Sequence, residues 1–395
     1  MLPVFERTLP AASSARALRA TIDELKFKKK YYFNCATSAT SHIGLVAENG
    51  EEYFGSGKGQ HHEVGAVAEA LEHMFSERQD VSLCTHVNTQ DIPVSQPAFY
   101  DPVLEGLRSI SLESIQCFKM GSITGSTNEH IYVPAAILNP DLDTNCDQQF
   151  LLHDYVGRYS TNSGTAVGIG PDEAVLHAVN EQFERHMLSK LYLQIVFGEQ
   201  QGFELLGSLR IEARELGLLT AELTVPDAWV VVREADEELS FCCVVEKLNE
   251  GAGKLALLAS GASSDQHHAC TRAISEFVQC FVLTDAAEHS EDHKVLKFLS
   301  TVKKLKPLIT LETIEDFPRS RLKSLVPCDK RNVSQILASV VRSLAPDHHV
   351  YARTEALGSF GVTVAQVYVT GFERFHLIRT GKLVAPLRVL QDGRV

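Results

Sequence analysis

No Cys-x-x-Cys pair occurs in the chain, although it carries nine cysteines, at positions 35, 84, 117, 146, 242, 243, 270, 280 and 328. That spacing offers no zinc knuckle, and an odd count closes no disulfide framework. No apolar run approaches the roughly 20 residues of a bilayer span, and the amino-terminal stretch lacks the apolar core of a signal peptide. Both absences place the expected compartment in the cytosol. Basic charge is also short. With 37 Lys and Arg against 50 Asp and Glu, the net charge is −13, which excludes broad attraction to nucleic acid or to an anionic membrane. The Gly-x4-Gly-Lys-Ser/Thr spacing of a P-loop is missing, as is the Gly-x-Ser-x-Gly elbow of a serine hydrolase. The paired histidines, His61/His62, His267/His268 and His348/His349, are adjacent, not spaced i, i+4 as two ligands on one helix face would be. They read as surface or supporting residues, and Cys270 and Cys280 as small core residues.

What is present is an ordinary globular composition, 44% hydrophobic and 22% charged over 395 residues, enough chain for a full core. Apolar spacing predicts a helix over 15–25, with Leu18, Ile22 and Leu25 on one side. The Lys28-Lys29-Lys30 run reads as solvated surface. Glu48-Asn49-Gly50 between apolar stretches predicts a hairpin over 40–54. Strands are expected over 131–138, 228–232, 239–245, 254–259 and 362–369, helices over 205–216 and 332–344, and an exposed charged excursion over 286–306. Gly217 is the expected stop of the 205–216 helix.

Three stretches share a pattern. Gly55-Ser-Gly-Lys58-Gly59 precedes a helix over 63–75 whose Glu69 and Glu72 share one side. A glycine-broken loop from Asn162 turns at Pro171, a residue suited to the first helical position, into a helix carrying Glu181, Glu184 and Arg185. Ser260-Gly-Ala-Ser leads into a helix with Arg272, Glu276 and Gln279 on one stripe. One such helix is more often a solvated face. Three in one chain argue for convergence. Converging carboxylates repel unless a cation intervenes. Mg²⁺, completed by phosphate oxygens and water, resolves that repulsion, and arginines at 185 and 272 suit phosphate. The residues alone therefore predict a Mg²⁺–nucleotide site built from side chains.

These motifs, in this order, resemble the YcaO superfamily of ATP-dependent peptide-backbone-modifying enzymes, clearly over residues 40–285 and more loosely beyond. The resemblance implies Mg²⁺ held around ATP by Glu69, Glu72, Glu181, Glu184 and Glu276. It also implies nucleotide contacts from Lys58, Arg185, Arg272 and Gln279, with Thr165 and Thr21 as further candidates. Arg185, Arg272 and Glu276 form the implied catalytic set. Gly65 and His73 stand where the family's first motif has serine and arginine. The proline-rich carboxyl end of many azoline-forming members is missing. The implied fold is α+β, with mixed or antiparallel sheets flanked by helices around a nucleotide cleft. The expected organisation is one domain over 1–395: an arm over 1–39, a motif-bearing core over 40–285, and a part over 286–395 that completes the core.

The overall shape is similar to the stand-alone cyclodehydratase component of microcin B17-type synthetases. The implied activity is ATP-dependent formation of thiazoline or oxazoline rings from Cys, Ser or Thr of a ribosomal precursor peptide. Implied partners are a leader-peptide-binding protein and an FMN-dependent dehydrogenase. Thioamide or amidine formation, or a catalytically weakened scaffold role, are the alternatives.

Overall fold

The computed structural model describes residues 6–78, 84–92, 101–108, 115–124, 129–140, 150–216, 218, 224–236, 238–249, 251–284, 286–322 and 331–392. Its elements in chain order begin with α1 (Ala11–Glu24), β1 (Lys28–Cys35), β2 (Thr40–Val46), β3 (Glu52–Lys58), α2 (His62–Glu77), β4 (Thr85–Val87) and α3 (Pro102–Arg108). There follow β5 (Ile115–Ser122), β6 (His130–Pro134), α4 (Ala135–Leu138), α5 (Phe150–Tyr159), β7 (Thr165–Ile169), α6 (Pro171–Phe197), β8 (Glu204–Ser208) and α7 (Leu209–Glu215). The chain then forms β9 (Ala228–Asp236), β10 (Leu239–Glu246), β11 (Leu258–Ser263), α8 (Gln266–Leu283), α9 (Ala286–Thr301) and α10 (Pro307–Thr310). It ends with α11 (Val333–Leu344), β12 (Val350–Leu357), β13 (Val362–Val369) and α12 (Leu387–Asp392). The architecture is α+β with antiparallel pairing, as expected.

Among the described residues the strands make three sheets, ordered β1-β2-β3, β11-β10-β9-β8 and β4-β5-β12-β13-β7, with β6 paired to β5. Each sheet thus ends on an edge strand that runs into a helix: β3 into α2, β7 into α6, β11 into α8. The strand glycines explain the close fit. A Cβ at Gly57 would lie 1.6 Å from the His62 carbonyl oxygen, one at Gly168 2.4 Å from the Ala174 nitrogen, and one at Gly261 2.7 Å from the Ala269 carbonyl oxygen. Only a residue without a side chain lets strand and helix backbones approach so closely. Each helix also touches the edge strand of the next unit, α2 on β7, α6 on β11 and α8 on β3, and the three units close a ring.

Local signals account for the helix ends. Gly170 at φ 85° hands over to Pro171 in the first turn of α6, and Gly198 at φ 72° ends it in the left-handed region. Asp265 caps α8 by accepting from the His268 nitrogen at 2.7 Å. Asn332 and Gln335 form a reciprocal capping box on α11. The predicted hairpin forms as β2 and β3.

Several expectations need correction. The glycine- and serine-rich segments before the three helices are not simply loops: much of each is the edge strand itself, its glycines serving the helix contact. Residues 205–216 are not one helix. Leu205 and Gly207 pair with β9 through a bulge, and the helix starts at Leu209. Its expected stop, Gly217, lies outside the described residues. Residues 131–138 split into β6 and the helical turn α4, and the expected 254–259 strand starts at Leu258. The stretch 286–306 is no exposed excursion. It forms α9 and a turn that return Val295, Leu299 and Leu305 to the core. The lysine run opens the edge strand β1, where exposed lysines discourage sheet-to-sheet pairing.

Candidate active site

The free edges of β3, β7 and β11 meet the carboxylates of α2, α6 and α8. On each helix three positions recur one turn apart: Gly65/Glu69/Glu72, His177/Glu181/Glu184 and Arg272/Glu276/Gln279. Glu72 accepts from the Val167 nitrogen on β7 at 2.7 Å. Glu184 accepts from the Ser260 hydroxyl on β11 at 2.7 Å. Glu276 pairs with Lys58 at the end of β3. In each case the helix reaches across to the next unit, so the ring geometry itself brings distant residues together. Glu181 accepts from the Gly164 nitrogen at 3.2 Å. That donor is available because Gly164 sits at φ +88°, where a Cβ would also lie 2.4 Å from the Gln182 amide nitrogen.

Arg185 serves two carboxylates, with Nη1 3.2 Å from Glu184 and Nη2 3.9 Å from Glu181. The cluster is nevertheless short of positive charge. Burial, then Glu276 and Glu181, outweigh Lys58 and push Glu69 up to about 7. Burial pushes Glu72 well above the usual carboxylate range, with Glu181 and Glu69 adding to it. Glu181 is raised by burial and by Glu184, against Arg185. Burial also works to raise Glu276, but Lys58 and Arg185 outweigh it and hold that carboxyl low. Arg185 is itself driven further up, its carboxylate neighbours overcoming its burial.

The expected set therefore gathers: Lys58, Glu69, Glu72, Glu181, Glu184, Arg185, Arg272 and Glu276 share one electrostatic neighbourhood. Gln279 lies one turn beyond Glu276, buried, its Nε2 without a partner. Thr165 stands next to Gly164, its hydroxyl accepting from Gln366 at 3.3 Å. Thr21 stands apart. It is fully buried on α1, where a Cβ on Gly358 would come within 3.7 Å of its methyl. Gly65 leaves space, since a Cβ there meets only the Gly57 Cα at 3.5 Å.

Among the described residues no three His, Cys, Asp or Glu side chains already close a metal cage. The donors nonetheless fit Mg²⁺. They are hard oxygens, half-buried together, and burial and neighbouring carboxylates raise three of them above the usual carboxylate range. Phosphate oxygens would complete a shell that these carboxylates only begin, and Arg272, whose Nε is buried without a partner, has a donor to offer them.

The sequence did not point to every residue here. His177 lies on the Glu181 stripe one turn earlier, as Arg272 precedes Glu276, and that internal register could have found it. Ser260 and Ser263 lie in the stretch already singled out. Glu6 has no sequence signal: it reaches the β11–α8 turn from the far end of the chain.

Fold and site thus define a class: an α+β protein with a cleft of carboxylates and guanidiniums at the junction of three sheet edges, without a P-loop. The model of the family described as YcaO cyclodehydratase, ATP- and Mg²⁺-binding, matches residues 37–373, and the chain belongs to that family, whose cofactors are ATP and Mg²⁺. Among solved structures it is similar to YcaO from Methanopyrus kandleri bound with AMPPCP and Mg²⁺, at 18% identity, TM-score 0.64 and 97% of each chain. It is also similar to a heterocyclase in complex with substrate and cofactor, at 15% identity and TM-score 0.60, over 94% of this chain and 54% of that one. A third is the E. coli microcin synthetase McbBCD complex, at 11% identity and TM-score 0.55 over 88% of each chain. A search among curated proteins finds no match. No helix among the described residues is long and apolar enough to cross a membrane.

Proposed function

We propose that the chain is an ATP-dependent cyclodehydratase that closes thiazoline or oxazoline rings on a ribosomally made precursor peptide. The observation that carries this reading is the meeting of Glu69, Glu72, Glu181, Glu184 and Glu276 from three separate helices in one cleft short of positive charge. Bound Mg²⁺ would supply that charge and shield the triphosphate. Within the cleft the residues have distinct work. Glu69, Glu72, Glu181 and Glu276 offer oxygen ligands. Glu184, fixed by Ser260 and Arg185, sets the orientation of its neighbours. Arg185 and Arg272 stand ready to take the charge that develops on a transferring phosphoryl group.

The chemistry follows from a poor leaving group. When a Cys, Ser or Thr side chain of the substrate adds to the preceding carbonyl, the amide oxygen cannot depart unaided. Transfer of the γ-phosphoryl group to that oxygen releases ADP. Expulsion of inorganic phosphate with loss of the nitrogen proton then leaves the C=N bond of the ring. The protein's part is positioning and charge stabilisation. A leader-peptide-binding protein and an FMN-dependent dehydrogenase are the partners this reading implies; the neighbouring microcin synthetase structure is likewise of a complex, McbBCD.

The test is reconstitution with Cys/Ser/Thr-containing precursor peptides, ATP and Mg²⁺, on wild type and Glu184→Gln. Loss of one water per ring, with ADP and phosphate formed in step, is expected of the wild type. Glu184→Gln is expected to lower turnover by at least about 100-fold, the scale on which a single electrostatic group acts. A gain of mass on the peptide would instead indicate thioamide formation, and no nucleotide turnover in either protein a scaffold.

A further inference from the structure

Outside the carboxylate cluster lies a second buried charge. Glu6 is 1% exposed, and its carboxylate sits among donors from the core. Its Oε1 accepts from Ser263 Oγ at 2.8 Å, Ser264 N at 3.1 Å and Ser264 Oγ at 3.2 Å. Its Oε2 accepts from Asn180 Nδ2 at 3.1 Å and lies 3.9 Å from His268 Nε2. Burial alone would raise this carboxyl, but His268, Arg272 and the serine donors outweigh it and hold it ionised. The stretch carrying Glu6 is clamped once more, by Glu173. That fully buried carboxylate accepts from Arg7 Nη1 at 3.2 Å and from Thr8 N at 2.6 Å.

All the groups around Glu6 belong to α6, to the end of β11, to the turn into α8 and to the first turns of α8 itself. The ring core therefore assembles this pocket without help from the segment that fills it. Nor does the carboxylate use everything the pocket offers. Arg272 Nε is buried with no partner, and its guanidinium is among the charges that act on Glu6. A flat carboxylate has two oxygens. A tetrahedral phosphate presents more acceptors in more directions, which suits a guanidinium fork, two hydroxyls and a backbone N–H ahead of a helix.

We propose that this pocket is a phosphate site and that Glu6 occupies it as an internal stand-in, so that an incoming phosphate must displace the Glu6–Thr8 segment. The inference rests on the nucleotide reading, because Arg272 acts on both this pocket and the carboxylate cleft. The pocket and its occupant are defined by their own contacts. Occupation by Glu6 lowers apparent phosphate affinity by the fraction of molecules in which the pocket is closed.

The test uses inorganic pyrophosphate as the probe and the full chain throughout. Calorimetry on Glu6→Ala and Glu6→Gln is expected to show pyrophosphate binding about tenfold or more tighter than in wild type, because the competing charge is gone. In wild type, trypsin cleavage after Arg7 is expected to accelerate when pyrophosphate is added, and in Glu6→Ala to be fast from the outset. Unchanged or weaker binding in both variants, or no pyrophosphate binding to any of the proteins, overturns the proposal. Should the variants fail to fold, the wild-type cleavage decides: bound pyrophosphate without acceleration overturns it as well. Two outcomes separate this proposal from the function above. Mg²⁺–ATP binding that is equal in wild type and both variants removes the stand-in and leaves the nucleotide cleft. Tighter pyrophosphate binding in the variants with no ATP binding leaves the pocket and removes the nucleotide.

Discussion

Replacing Glu69 with glutamine should stabilise the ligand-free protein and disable it together. Burial and the neighbouring carboxylates move Glu69 from its ordinary 4.5 to about 7. Each pKa unit corresponds to about 1.4 kcal/mol, so ionising this group in the folded state costs up to about 3 kcal/mol. Its partial exposure and relaxation of the surroundings reduce that to about 1–3 kcal/mol. The sign follows from linkage. A carboxyl whose folded pKa is raised contributes stability below its unfolded pKa and loses it as pH rises through the folded value. The advantage of Glu69→Gln, which cannot ionise, is therefore small at pH 4, grows between about 4.5 and 7, and is full at pH 8. Urea unfolding of both proteins at pH 5 and pH 8, with and without Mg²⁺ and a non-hydrolysable ATP analogue, measures it. The variant should be the more stable at pH 8 without ligand, and wild type should gain more from Mg²⁺–nucleotide. A variant less stable than wild type at pH 8, or equally stabilised by Mg²⁺–nucleotide, refutes the reasoning that this carboxylate is held in strain for a cation.

Other expectations follow from the packing and from the buried histidines. Gly57→Ala should cost more than about 3 kcal/mol or prevent folding, because its Cβ would meet the His62 backbone, whereas Gly65→Ala should be tolerated within about 1 kcal/mol. Thermal unfolding of the pair checks the strand–helix contact. Burial holds His177, His186 and His376 well below the usual histidine range, so each favours the neutral form in the fold. Their contribution is present above the unfolded histidine value and is lost as pH falls below about 6.5. The difference in melting temperature between His376→Gln, which cannot charge, and wild type should grow in the variant's favour between about pH 6.5 and 5. A flat profile in that window contradicts the assignment.

The part of this molecule legible in sequence is the part with helical period. Paired acids three apart on α2 and α6, and the Arg-Glu-Gln stripe on α8, showed which helices matter and which faces of them. The strands beside them were harder to see, because their glycines serve helix contact and carry no apolar alternation. Gly55 and Gly57 thus look like a turn yet belong to β3. A bulge at Leu205/Gly207 broke the alternation of β8 in the same way. Lys28, Lys29 and Lys30 looked like surface and are surface, but on a strand edge. Glu6 was beyond reach. Nothing near it in sequence resembles the serines and asparagine that surround it, and only the closed ring brings them together.

The most direct measurement is a crystal structure of the full chain with Mg²⁺ replaced by Mn²⁺ and a non-hydrolysable ATP analogue, with anomalous scattering locating the metal. The account predicts metal among Glu69, Glu72, Glu181 and Glu276, with phosphates against Arg185 and Arg272. Nucleotide bound elsewhere, for instance in the groove of about 400 Å³ between Asp172 and the α11 face at Ser334 and Arg342, with no metal at those carboxylates, would contradict it.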